Sequence, residues 1–76
     1  MKFIFSAQEL IDLYKLGNRN IKNEVIKLSK EVLEKGGVVE FSKTPNIGPF
    51  KTASSKDEFK KIENILNETF SRLEKT

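Results

Sequence analysis

Residues 36–55, GGVVEFSKTPNIGPFKTASS, decide the fold of this chain. They hold both prolines and three of the four glycines, whereas the flanking segments are patterned as helices. Within this stretch, residues 38–41 have the β-branched and aromatic composition of a strand, and residues 50–53 are a weaker candidate. Because proline cannot donate a hydrogen bond inside a sheet, both prolines belong at the turn. The sequence therefore predicts a hairpin over residues 38–53 with a long exposed tip.

Three other stretches repeat their apolar residues with the period of an α-helix: residues 7–16, 20–35 and 56–74. Ser6 with Glu9, and Ser55 with Glu58, have the spacing of a capping box, in which the serine hydroxyl accepts from a free backbone N–H at the helix start. Asn20 stands where it can cap the second helix. Gly17 and the Gly36-Gly37 pair are predicted helix ends, because glycine adopts a left-handed conformation at little cost.

The apolar faces of these helices predict how they pack. The second helix has a wide apolar arc, formed by Ile21, Val25, Leu28 and Val32 together with Ile26 and Leu33 about 100° away. A helix with such an arc contacts more than one element, so we predict that it is central. The third helix has its apolar residues on one arc, with charged residues opposite: Phe59, Ile62, Ile65, Leu66, Phe70 and Leu73.

Residues 1–5 are apolar and aromatic enough for a first short strand. The predicted fold is α+β, in the order β-α-α-β-β-α, over a single domain of residues 1–76. We expect a short antiparallel sheet packed on the central helix and on the long C-terminal amphipathic helix.

The composition argues against an enzyme. The chain has no cysteine and no histidine, which removes zinc sites, disulfides and the usual nucleophile–base pairs. It has no glycine-rich phosphate loop. Its paired carboxylates, such as Glu9 with Asp12, lie on helix faces that we expect to be solvated. We therefore predict no enzymatic activity, no catalytic residues, no bound metal and no cofactor.

The net charge is +3, from 14 Lys and Arg against 11 Asp and Glu. The excess is local, since residues 15–30 hold five cations and one carboxylate, Glu24. No apolar run is long enough to cross a membrane, and the first residues are too short for a signal peptide. We expect a small basic cytoplasmic protein without a membrane partner. Its abundant Lys, Asn and Ile point to an AT-rich gene, as in a phage or mobile element.

Two cationic regions suggest a phosphate-bearing partner, either nucleic acid or a nucleotide. Arg19 and Lys22 flank the start of the second helix, whose free N–H groups favour anions. The hairpin tip is also cationic and hydroxyl-rich, with little acidity nearby. The residues that we predict to contact phosphate are Arg19, Lys22, Lys43, Thr44, Asn46 and Lys51. This hypothesis requires the four cations to converge on one surface; otherwise they are ordinary solvating side chains.

The rival hypothesis is a protein–protein interaction module, for example a small phage inhibitor or adaptor of a host protein. Its apolar contact would be the first-helix surface around Leu13 and Leu16, or Ile47 at the hairpin tip. A chain this small has a small core, so we also expect it to form a homo-oligomer.

The order of elements resembles that of a winged helix-turn-helix, a fold that includes small phage excisionases. Ser6 to Leu10 would open its first helix, residues 21–35 would be the recognition helix and residues 43–49 the wing, which would imply DNA binding. Three positions depart from that pattern. Leu13 stands where the pattern has a small residue, Asn18 where it has an apolar residue, and Asn23 where it has a residue of the core. We therefore do not assign the chain to this family.

Overall fold

The structure is a computed structural model that describes residues 1–45 and 50–75. Its elements are β1 (Lys2–Ser6), α1 (Ala7–Lys15), α2 (Ile21–Glu34), β2 (Val38–Ser42), β3 (Lys51–Ala53) and α3 (Lys56–Glu74). The predicted β-α-α-β-β-α order of a small α+β domain is confirmed. Asn46 and Ile47, at the predicted hairpin tip, lie outside the described residues.

The three strands form one sheet in the order β1-β2-β3. The predicted all-antiparallel pairing is wrong, because β1 runs parallel to β2 and only β2 and β3 are antiparallel. The chain connectivity explains the difference. Residues 7–37 cross over between β1 and β2 through two helices, which is the kind of connection that parallel strands need, whereas β2 and β3 are joined as a hairpin.

One face of the sheet is covered by helices and the other is open. Phe5 and Phe41 are paired neighbours on the covered face, with ring centroids 5.3 Å apart. Ile4 and Glu40, the neighbouring pair, point the other way. On that face, Glu40 forms an ion pair with Lys2, with Nζ and Oε1 3.0 Å apart. The core therefore lies between one sheet face and the helices.

Helix α3 supplies much of this core. Its buried side chains are Phe59, Ile62, Leu66 and Phe70. Ile65 and Leu73 are partly buried at the edges of the same arc. The predicted apolar face of this helix is therefore confirmed.

Helix α2 contacts α1, α3, β1 and β2, as expected of a central helix. Its buried residues are Ile21, Val25, Ser29 and Leu33, and Ile26 and Val32 are partly buried against the core. Most of the predicted arc is therefore confirmed, and the exceptions are Leu28 and Ser29. Leu28 is half exposed instead. Steps of four residues advance by about 40° around a helix, so this stripe winds about the axis and carries Ser29 inward in place of Leu28.

Two of the three predicted N-caps form. The N–H groups of Glu9 and Glu58 each donate to the serine three residues earlier, Ser6 and Ser55, at 3.2 Å. Asn20 does not cap α2. Its side-chain oxygen instead accepts from the side-chain amide nitrogen, Nδ2, of Asn23 at 3.1 Å. Asparagine side chains often bond locally in this way, in competition with capping.

The two glycines after α2 act differently. Gly36 has a φ of +82°, the left-handed conformation predicted for a helix end. At Gly37 the constraint is space, since an added Cβ would lie 2.6 Å from Val32 Cγ1 and 2.7 Å from the Met1 carbonyl oxygen. Gly37 thus allows β1 and the end of α2 to approach closely.

Candidate functional site

The pairing of α2 with α3 aligns the charges along both helices. Lys56 of α3 donates to Glu34 of α2 at 2.7 Å, and Lys30 of α2 lies 3.4 Å from Glu63 of α3. Because residue numbers rise along one helix as they fall along the other, the two helices are antiparallel. Both ion pairs join opposite charges, and the hydrogen bond and charge of Lys56 lower the pKa of Glu34.

Toward the start of α2 and the end of α3, cations among the described residues are no longer paired with carboxylates across the two helices. Lys22, in the first turn of α2, lines a shallow groove with residues from the last turns of α3. We call this surface the basic groove; its lining residues are Lys22, Asn67, Glu68, Ser71, Arg72 and Lys75. Its volume is about 600 Å³. Three cations here face a single carboxylate.

Although Glu68 lines the same groove, the cations of the basic groove form no ion pair in the described part of the chain. The ion pairs there are made by Lys2, Lys30 and Lys56, and none involves Lys22, Arg72 or Lys75. Asn67 and Ser71 add neutral polar groups that donate and accept hydrogen bonds. The groove therefore suits an anion that also has hydrogen-bonding groups.

Arg19 does not line the basic groove but is three residues before Lys22, which does. Its guanidinium carbon is 4.6 Å from the centroid of the Tyr14 ring, a cation–π contact. Tyr14 in turn meets the buried Phe70 ring edge-on, with centroids 5.5 Å apart. The Tyr14–Phe70 contact therefore places α1 against the C-terminal half of α3.

Lys51 is not part of this surface. It lines a separate groove of about 570 Å³ with Thr52 and the first two turns of α3, where Asp57 and Glu58 balance Lys51 and Lys61. That groove uses the N-terminal half of α3 and the basic groove uses the C-terminal half. The expectation that all four predicted cations converge is therefore wrong for Lys51.

Two other predicted contact residues, Lys43 and Thr44, accept hydrogen bonds through their backbone carbonyls. Lys43 is exposed, and its carbonyl accepts from the Gln8 N–H at 3.0 Å at the start of α1. The Thr44 carbonyl accepts from the Ser42 hydroxyl at 2.7 Å. The first bond joins the end of β2 to the start of α1, and the second is local to the segment after β2. Phosphate contact by their side chains stays a prediction.

Of the three cations that line the basic groove, Lys22 is among the residues predicted from the sequence to contact phosphate, whereas Arg72 and Lys75 are not. Residues 56–76 hold equal numbers of cations and carboxylates, so their charge total gave no signal. The proximity of Arg72 and Lys75 to Lys22 follows from the antiparallel packing of α2 and α3, which is a property of the tertiary structure.

Among residues 1–45 and 50–75, no group of three or more carboxylates is placed to hold a metal ion. None of the helices in this described part has the length and apolar character needed to cross a membrane. No family model, curated protein or solved structure matches the chain. The likeness to a winged helix-turn-helix therefore remains one of element order.

Proposed function

We propose that this chain is a small, non-enzymatic, cytoplasmic protein that binds a phosphate-bearing partner, DNA or a nucleotide, in the basic groove. The observation that supports the proposal is that Lys22, Arg72 and Lys75 line one groove with a single carboxylate, Glu68, and form no ion pair among the described residues. The two charged contacts between α2 and α3 elsewhere join opposite charges. Like charges held together are unfavourable unless an anion offsets them.

Helix stability explains only part of this cluster. Arg72 and Lys75 lie at the C-terminal end of α3, where cations interact favourably with the helix dipole. Lys22 lies in the first turn of α2, where the same dipole disfavours a cation. A bound phosphate would interact favourably with Lys22 and with both α3 cations. A phosphate ligand would thus account for the presence of Lys22 in the first turn of α2, which the helix dipole does not explain.

The test is fluorescence anisotropy at low salt with labelled duplex DNA, single-stranded DNA, RNA and a labelled nucleotide. We expect at least one probe to bind. Affinity should fall with salt by about 0.9 log unit per log unit of salt for each phosphate contact on a duplex, or about 0.7 on a single strand. Failure of every probe to bind would remove the proposal.

A double variant, Lys22→Gln with Arg72→Gln, locates the contact. Charge-assisted hydrogen bonds contribute about 1.5–3 kcal/mol each, so binding should weaken by roughly tenfold or more and the salt slope should decrease. The matched control is Lys27→Gln with Lys60→Gln, two exposed cations outside both grooves. Equal weakening in the two double variants would show a diffuse charge effect and contradict a site at the groove.

A specific observation also favours the protein-interaction hypothesis. Leu16 is 84% exposed and Leu13 is 41% exposed, both at the end of α1. Exposed leucines are candidates for an apolar contact with a host protein. A pull-down from nuclease-treated lysate, compared between wild type and Leu13→Gln with Leu16→Gln, tests it. A protein captured by the wild type and lost with the variant, together with no nucleic-acid binding, would favour this alternative.

A further inference from the structure

Arg19 is exposed, but contacts of both its side chain and its backbone restrict its conformation. Its guanidinium rests on the Tyr14 ring, and that ring is fixed against the buried Phe70. Its backbone belongs to a hydrogen-bonded turn, in which the Arg19 N–H donates to the Gly17 carbonyl at 3.0 Å. Much of the entropy cost of ordering this side chain is therefore met before any ligand arrives.

The opposite side of the Arg19 guanidinium is accessible. Arg19 is exposed although one face of the group lies on Tyr14, and within the described residues no carboxylate pairs with it. A planar guanidinium is a stacking surface for a nucleobase as well as a donor to phosphate. The Tyr14–Arg19 stack thus offers an outer plane of the right chemistry for a base.

This plane is close to the basic groove through Lys22. Arg19 is three residues before Lys22, so the Cα atoms of the two residues are at most about 11 Å apart. A stacking surface beside unpaired cations is how proteins hold single strands, whose bases are free to leave their neighbours. In a duplex the faces of the bases are already stacked on one another.

We infer that the basic groove and the Tyr14–Arg19 stack together bind single-stranded nucleic acid, with phosphates in the groove and one base on Arg19. This inference rests on the proposed function and narrows it from phosphate-bearing partners in general. Discrimination between single and double strands comes from the base on Arg19. The groove cations contribute the part of the affinity that depends on salt.

The test compares three labelled probes of equal length: a single strand, the duplex of the same sequence, and an abasic single strand that retains the phosphates. Stacking of one base changes affinity by about tenfold, so the wild type should bind the single strand about tenfold more tightly than the abasic strand. It should also prefer the single strand to the duplex.

Arg19→Lys keeps the charge and removes the plane. We expect it to bind the abasic strand like the wild type and to lose the tenfold preference for the strand with bases. Arg72→Lys, which changes a groove cation in the same way, should keep that preference. Circular dichroism of each variant confirms that the fold is retained.

Three outcomes would overturn the inference. If duplex and single strand bind equally, or if Arg19→Lys keeps the wild-type preference, the base-stacking role fails while phosphate binding in the groove still stands. If none of the probes binds at low salt, the proposed function fails together with the inference.

Discussion

Ser29 of α2 places a polar atom in the core without a partner. It is fully buried, and its Oγ makes no hydrogen bond within the described part of the chain. A buried hydroxyl that loses its water and gains no partner costs free energy. The winding of the buried stripe around α2 puts this serine at a position where the core needs only a small side chain.

We predict that Ser29→Ala raises the free energy of unfolding by about 1 kcal/mol, because it removes a desolvated hydroxyl and leaves the packing nearly unchanged. Urea unfolding followed by circular dichroism measures it. Ser71→Ala is the control, since it gives the same gain in helix propensity at an exposed helical site. A Ser29 variant no more stable than the Ser71 variant would contradict the argument.

At the scale of elements, the α2–α3 pair is aligned by charge as well as by apolar packing. The Glu34–Lys56 and Lys30–Glu63 pairs fix one end and the middle of the seam, and the basic groove lies at the other end. Exposed ion pairs add little to stability.

The Glu34–Lys56 pair gives a prediction about pH. The hydrogen bond and charge of Lys56 lower the pKa of Glu34 in the folded chain. A carboxylate with a depressed folded pKa stabilises the fold above its unfolded pKa, and this contribution is lost as pH falls through the folded pKa. Lys56→Gln should therefore raise the Glu34 pKa toward its ordinary value, and the stability difference from wild type should vanish in acid.

Carbon-detected NMR titration of Glu34 measures this pKa directly. The matched control is Lys60→Gln, which removes an exposed lysine from the same helix and should leave the Glu34 pKa unchanged. Because the pair is solvent-exposed, added salt should reduce the difference between Lys56→Gln and wild type. A Glu34 pKa that does not respond to Lys56→Gln would show that the ion pair is not populated in solution.

At the scale of the whole molecule, the sheet has a free edge and an open face. β1 lies at the edge of the sheet and carries Ile4, which is 55% exposed on the open face. The Val38 N–H donates to the Met1 carbonyl, so in this parallel ladder the backbone groups of Lys2 and Ile4 point away from β2. Unpaired edge groups are a template for another strand.

We accordingly predict self-association through β1. Sedimentation or multi-angle light scattering should give a mass above that of one chain, rising with concentration. Ile4→Lys should shift the protein toward the monomer, because it places a charge at the edge of β1. The control Leu28→Lys changes a half-exposed leucine on α2 and should leave the mass unchanged. A monomer at every concentration would show the expectation to be wrong.

Local chemistry along the chain was enough to determine its elements. Periodicity and the Ser6 and Ser55 caps placed the helices, and the composition of residues 38–41 placed β2, because these depend on residues within a turn or two of each other. Asn20 shows the limit, since two local hydrogen bonds competed there and the sequence did not rank them.

Only the tertiary structure decided which surfaces these elements form. The parallel pairing of β1 with β2, the burial of Ser29 rather than Leu28, and the meeting of Lys22 with Arg72 and Lys75 all depend on contacts between distant residues. Such contacts are fixed by the packing of whole elements on a shared core. No property of one segment specifies them. For that reason, only Lys22 of the three groove cations is among the contact residues predicted from the sequence.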